Sequence, residues 1–276
     1  MPNQKPKAAA IQMATGPNVG ANLLETERLI REAAEAGAGL VVLPENFAFM
    51  GKRDQDQLVL REPDGEGRLQ GFLSTVAARY GIWLVGGTIP LASEDPTKVR
   101  GACLVYNDRG ARVARYDKIH LFDVSLPGTG ERYHESATIE AGKDVVVVDS
   151  PFGRLGVAVC YDLRFPELFR HMLDSDVEVL AIPACFTALT GKAHWETLVR
   201  ARAIENLTYV IAAAQGGYHI SGRETHGHSM IVDPWGTVLA QVPRGTDCIC
   251  CPLDLDYQRS VRRNFPTIEH RRLKCR

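Results

Sequence analysis

Short runs with no strongly polar residue at either alternate position recur along this chain, at 40–43, 179–183 and 209–214. A strand of that kind has no face to offer water, so it belongs in a sheet covered on both sides. The chain must therefore build layers, and the segments between the runs must supply the covers. Residues 19–36 place Leu23, Thr26, Ile30 and Ala33/Ala34 on one stripe, with Arg28, Arg31, Glu32 and Glu35 elsewhere. Gly37 and Gly39 end that pattern as C-terminal glycines do. Residues 69–80, 163–173 and 193–206 read as further helices, and 7–13, 82–89, 228–232, 237–242 and 248–253 as strands. Two turn-linked strand pairs are also expected. One joins 103–106 to 112–116 through Asn107-Asp108-Arg109-Gly110, the other 145–148 to 155–159 through Ser150-Pro151-Phe152-Gly153. Helices interleaved with strands, plus hairpins, predict an α/β fold with mixed sheets.

Composition narrows the function classes. The 276 residues carry 32 Lys plus Arg against 33 Asp plus Glu, a net charge of -1, so no basic excess exists to hold nucleic acid or an anionic membrane. Apolar stretches such as 207–214 fall short of the roughly 18 residues of a spanning helix. The polar residues 1–7 are not followed by an apolar run of signal-peptide type. A soluble, cytoplasmic protein of one domain is expected, with a core at about 7–255 and a tail at about 256–276. Seven cysteines at irregular spacing resemble no disulfide framework and are expected as thiols. Cys248 and Cys251 form a C-x-x-C without a second pair, which fits strand residues better than a zinc site.

Several residues could carry chemistry. Glu45 directly follows the apolar run 40–43 and Pro44, at a strand's carboxyl end, where α/β proteins place ligands; an ordinary loop glutamate is the alternative. Cys160 ends the run 155–159 just before a helix, a placement that exposes a nucleophile and aims main-chain N–H groups at the atom it attacks. It could equally be an inert cysteine filling space. Lys118 leaves the strand 112–116 and could stabilise negative charge in a cleft, or snorkel at the surface. Glu135 could add a second carboxylate. His194, His226 and His228 could in principle partner Cys160 as in a Cys–His peptidase, but no spacing singles one out. No phosphate-binding or dinucleotide glycine motif succeeds a strand.

Taken together, residues 43–47 (LPENF), 116–123 (YDKIHLFD) and 156–168 (GVAVCYDLRFPEL) resemble the nitrilase superfamily of carbon–nitrogen hydrolases, and the similarity runs from about residue 7 to 272. All three motifs in order are highly specific. The resemblance implies a four-layer α-β-β-α sandwich that pairs with a second copy. It implies Glu45 as general base, Lys118 as stabiliser and Cys160 as nucleophile, with Glu135 as an additional site glutamate and the Tyr161 backbone N–H beside Lys118 at the oxyanion. It calls for a small-molecule amide substrate, and for neither a metal nor an organic cofactor. Segments 190–196, 200–206 and 227–237 resemble the branch that cleaves deaminated glutathione to 2-oxoglutarate and cysteinylglycine. An ω-amidase acting on 2-oxoglutaramate and a non-catalytic nitrilase-like interaction protein are the alternatives. Ser125 replaces an acidic residue expected in the loop after Lys118, and that loop is one residue longer before Glu135.

Arg164, Phe186 and Arg223 are the candidates for substrate binding, the arginines because an oxo acid presents a carboxylate. Arg164 could instead brace its turn through Asp162 or Glu167. Residues 193–206 mix apolar and charged positions, as expected of a helix covering its own sheet while meeting a copy of itself in a homodimer. The tail 257–276 carries seven Lys or Arg residues and could be solvated or dock across the partner.

Overall fold

The computed structural model describes residues 5–128 and 130–273. The first half runs β1 (Lys7–Gln12), α1 (Val19–Glu35), β2 (Ala38–Val42), α2 (Arg68–Tyr80), β3 (Trp83–Val85), β4 (Ile89–Ala92), β5 (Val99–Tyr106) and β6 (Arg112–Asp117). A small ribbon of β7 (Asp123–Ser125) and β8 (Arg132–His134) comes next. The second half runs β9 (Val147–Ser150), β10 (Gly153–Val157), α3 (Pro166–Leu173), β11 (Val179–Ala184), α4 (Ala188–Asn206) and β12 (Tyr209–Ala214). It ends with β13 (Ser229–Val232), β14 (Val238–Val242), β15 (Asp247–Pro252) and α5 (Leu255–Asn264).

One sheet has the order β15-β1-β2-β3-β5-β4, with β6 also paired to β5; the other has the order β14-β13-β12-β11-β10-β9. Each is parallel at its centre, through β1, β2 and β3 or through β10, β11 and β12, and antiparallel at its margins. Period-two alternation then builds the layers. In β1, Ala8 and Ala10 face the second sheet, while Ala9 and Ile11 face Leu29, Ile30 and Ala33 of α1. Leu40 and Val42 likewise point inward, and Val41 and Leu43 meet the helices. On the second sheet's outer face lie α3, through Phe169 and Met172, and α4, through Trp195, Val199 and Ala203. The architecture is the four-layer α-β-β-α sandwich.

Several boundaries differ from expectation, four of them for a local reason that the structure shows. The strand expected at 82–89 breaks at Gly86-Gly87, where Gly87 (φ +58°) lies so close to the Pro44 carbonyl that a Cβ would sit 2.2 Å from its oxygen. The helix expected at 163–173 divides, because Pro166 keeps Phe165 extended (φ -111°, ψ 92°). A 3₁₀ turn over Cys160–Arg164 precedes it and α3 comes after. Helix α4 begins at Ala188 rather than 193, capped by Thr187, whose hydroxyl accepts from Thr190 N. Its Gly191 gives no periodic signal, yet a Cβ there would strike the His226 ring. The first residues of the expected tail form α5, which docks on its own domain: Gln258 Nε2 donates to Glu178 O and Leu207 O, and Arg262 to Val177 O and Leu207 O.

Cys248 and Cys251 lie in β15, as expected of strand residues. Three positions apart in a strand, they face opposite sides of the sheet, Cys248 with the helix-side core and Cys251 between the sheets, so they cannot chelate one ion. Cys275 lies outside the described residues.

Candidate active site

Glu45 leaves β2, Lys118 leaves β6 and Cys160 leaves β10, and the sandwich brings these strand ends to one cleft of about 420 Å³. Leu43 N donates to Val85 O, extending the strand to Pro44, and Gln215 Nε2 donates to Glu45 O, so the glutamate backbone is held from both sheets. The Lys118 ammonium lies 2.8 Å from Glu45 Oε1 and 2.7 and 2.9 Å from the Glu135 oxygens. Glu135 also accepts from Phe122 N at 2.6 Å. Lys118 is only 2% exposed. Burial works against its charge, but Glu135 and then Glu45 outweigh burial and hold its pKa well above the ordinary lysine value. Burial pushes the Glu135 carboxyl up, Lys118 pulls it down, and the charge of Glu45 leaves it raised.

Cys160 opens the 3₁₀ turn in a left-handed conformation (φ +50°) that costs a non-glycine residue energy and recurs at functional turns. Its sulfur accepts from Cys185 N at 3.4 Å. Burial, reinforced by the charge of Glu45, raises the thiol pKa well above its usual value against the pull of Lys118. At rest this side chain is therefore held as a thiol, which a neighbouring base would have to deprotonate before the sulfur could attack.

All eight residues expected at the site line this cleft: Glu45, Lys118, Glu135, Cys160, Tyr161, Arg164, Phe186 and Arg223. Arg164 does not brace the turn through Asp162 or Glu167. It hydrogen-bonds His194 Nδ1 at 3.1 Å and lies 5.0 Å over the Phe186 ring. Asp162 is engaged by Tyr116, Val159 and His120 instead. Arg223 donates to Cys185 O and stacks 5.0 Å over Tyr133, while its buried Nε has no partner. Among the described residues no histidine lines the cleft. His194 serves Arg164, and His226 stacks on His228 at 4.3 Å in a neighbouring recess. The Cys–His arrangement is thus not built here.

Sequence reasoning gave no role to Tyr116 or His120, weighed Asp162 only as a partner for Arg164, and passed over the apolar wall from Met50 and Phe122. The signal for the first three was in plain view, since all lie inside the Lys118 and Cys160 motifs. A buried thiol, a buried carboxylate and a buried ammonium at one cleft suit acyl transfer through a thioester.

The carbon-nitrogen hydrolase family model matches residues 7–263. Deaminated glutathione amidase of Synechocystis sp. (strain PCC 6803 / GT-S) is 42% identical, over 96% of this chain and 97% of that protein. The fold superposes on the Caenorhabditis elegans NitFhit protein with a TM-score of 0.89 at 37% identity, over 99% of this chain and 66% of that one. It also superposes on Saccharomyces cerevisiae Nit3, described as a member of branch 10 of the nitrilase superfamily, with a TM-score of 0.87 at 31% identity, over 98% and 97% of the two chains. With the fold, the three motifs and these relatives in agreement, the chain belongs to the carbon-nitrogen hydrolase family and is an amidase of the nitrilase superfamily.

Proposed function

We propose that Glu45, Lys118 and Cys160 hydrolyse a linear amide through a Cys160 thioester. Glu45 takes the thiol proton as the sulfur attacks the amide carbonyl carbon. Lys118 and the Tyr161 N–H, at the unpaired start of the 3₁₀ turn, hold the oxyanion. Each such donor is typically worth about 3–4 kcal/mol of barrier. The intermediate collapses, the C–N bond breaks, and Glu45 passes its proton to the leaving amine. Glu45 then deprotonates water, which attacks the thioester, and the acid leaves as the thiol regains its proton. Glu135 keeps Lys118 charged and in place. The observation carrying this reading is the buried Lys118–Glu45 contact in the same cleft as a thiol kept protonated.

The substrate proposed is deaminated glutathione, the compound in the name of the Synechocystis relative, with 2-oxoglutarate and cysteinylglycine as the expected products. Arg164 and Arg223, with Phe186 between β11 and α4, would receive the oxo-acid end. Purified enzyme should turn over deaminated glutathione with a higher kcat/KM than 2-oxoglutaramate. The reverse order would make it an ω-amidase.

The proposed assembly is a homodimer through α4. That helix buries Trp195 and Val199 against its own sheet while leaving Leu189 43% and Ile204 47% exposed. Sedimentation should give about twice the 30.4 kDa chain mass, and a fully active monomer would remove the interface. The free thiols suit a reducing compartment such as the cytosol. No helix among the described residues is long and apolar enough to cross a membrane.

A further inference from the structure

Asp162 is fully buried, two residues beyond the nucleophile, and the proposed mechanism gives it no role. Its carboxylate accepts four hydrogen bonds. Oδ2 receives the Tyr116 hydroxyl at 2.6 Å and Val159 N at 2.8 Å. Oδ1 receives His120 N at 3.0 Å and His120 Nδ1 at 2.7 Å, so that nitrogen carries the proton. The donors fall in two groups. Val159 is the residue before Cys160, and its bond to Asp162 closes the turn that keeps Cys160 at φ +50°. Tyr116 and His120 flank Lys118 at two residues on either side. The His120 ring is pinned in turn by stacking on Phe165, 3.7 Å between centroids, at the far end of the same turn.

One buried carboxylate therefore ties the strained nucleophile turn of the second sheet to both flanks of the lysine on the first. A charge buried this deeply is expensive unless every lone pair is used, and here all are. We propose that Asp162, acting through Tyr116 and His120, is the positioning residue that fixes the distance and angle between the Cys160 sulfur and the Lys118–Glu45 pair. It touches neither substrate nor reacting atom. The inference rests on the catalytic roles proposed above for Cys160 and Lys118.

The test is a set of near-isosteric variants read by three measurements: kcat and KM separately, the rate of Cys160 alkylation by iodoacetamide in the free enzyme, and thermal stability. Asp162→Asn replaces one acceptor oxygen with an amide nitrogen facing two donors. It should lower kcat by about 10²-fold, the usual loss for misplacement of about 1 Å, with KM little changed. Tyr116→Phe removes one bond of four and should lower kcat roughly tenfold while slowing alkylation. His120→Ala should do the same, and His120→Asn, which restores a donor near the Nδ1 position, should recover much of the loss. Should Asp162→Asn fail to fold, the Tyr116 and His120 variants decide alone. Unchanged kcat and alkylation in folded Tyr116→Phe and His120→Ala would overturn the proposal. So would losses that track only the folded fraction, with no rescue by His120→Asn. Turnover surviving in Cys160→Ala would instead overturn the catalytic roles, so the two failures are distinct.

Discussion

The floor of the cleft and its rim are built on opposite plans. On the floor, the Lys118 ammonium makes three contacts of 2.7–2.9 Å to two carboxylates, and Glu135 also takes Phe122 N. On the rim, neither Arg164 nor Arg223 is ion-paired to a carboxylate among the described residues. Arg164 leans on a ring nitrogen of His194 and an aromatic face, and Arg223 on a carbonyl, a tyrosine ring and nothing at Nε. Charges on the floor are already arranged for a transition state and need no reorganisation when it forms. Donors on the rim are left for a ligand. On the roles proposed above, chemistry is assigned to the saturated region and selection to the unsaturated one.

The contrast breaks most sharply at Cys160. Cys160→Ala should abolish amide hydrolysis while the fold persists, since the missing sulfur leaves a small gap beside a solvent-reached cleft. Mass spectrometry of wild type with a slow substrate should find the acyl group on the Cys160 peptide. An adduct on Cys103 or Cys185, with activity kept in Cys160→Ala, would move the nucleophile. Glu45→Gln keeps the shape and removes the base, so kcat should fall by about 10²–10⁴-fold. Lys118→Arg should fail comparably, because a planar fork does not fit a 2%-exposed slot shaped around a point charge by two carboxylates. Near-normal rates in either would place the chemistry elsewhere.

Rim substitutions should be milder and different in kind. Arg223→Gln should raise KM more than it lowers kcat, the pattern of a contact made equally in ground and transition states. Equal losses in kcat and kcat/KM would put Arg223 on the floor instead. The smallest effect lies outside both regions. Burial, with the charges of His228 and Arg244, lowers the pKa of His226 to about 4, against an ordinary value near 6.5. Between those values the unfolded chain binds the proton and the folded chain does not, so stability should decline as pH falls from about 6.5 towards 4. His219, lowered by burial, adds in the same direction. Chemical denaturation at pH 7 and pH 5 should show the drop, and His226→Gln should lessen it. An unchanged slope would assign it to other groups.

Much of the floor was legible because each of its members stands at a strand exit marked by local sequence. The run 40–43 ends at Pro44 and Glu45, and the run 155–159 ends at Cys160. The rim was legible only as positions. That Arg164 would find His194 rather than Asp162 depends on where α4 begins, and Gly191 hid that start from any periodic count. The break at Gly87 was missed because an apolar run says nothing of a carbonyl arriving from Pro44.

The amino-acid sequence by itself determined the layers, through apolar runs that forbid a wet face, and the positions of Glu45 and Cys160 just past two such runs; Lys118, past the half-polar strand 112–116, was marked by its motif. Both are local properties, set by side-chain alternation and by the residue types placed just past a strand's end. Only the tertiary structure decided the partnerships. Glu135 reaches Lys118 across 17 residues, Lys118 reaches Glu45 across 73, and Asp162 reaches Tyr116 across 46. The physical reason is that a buried charge takes whichever partner the packing of two sheets delivers within about 3 Å, and no pattern along the chain encodes that distance.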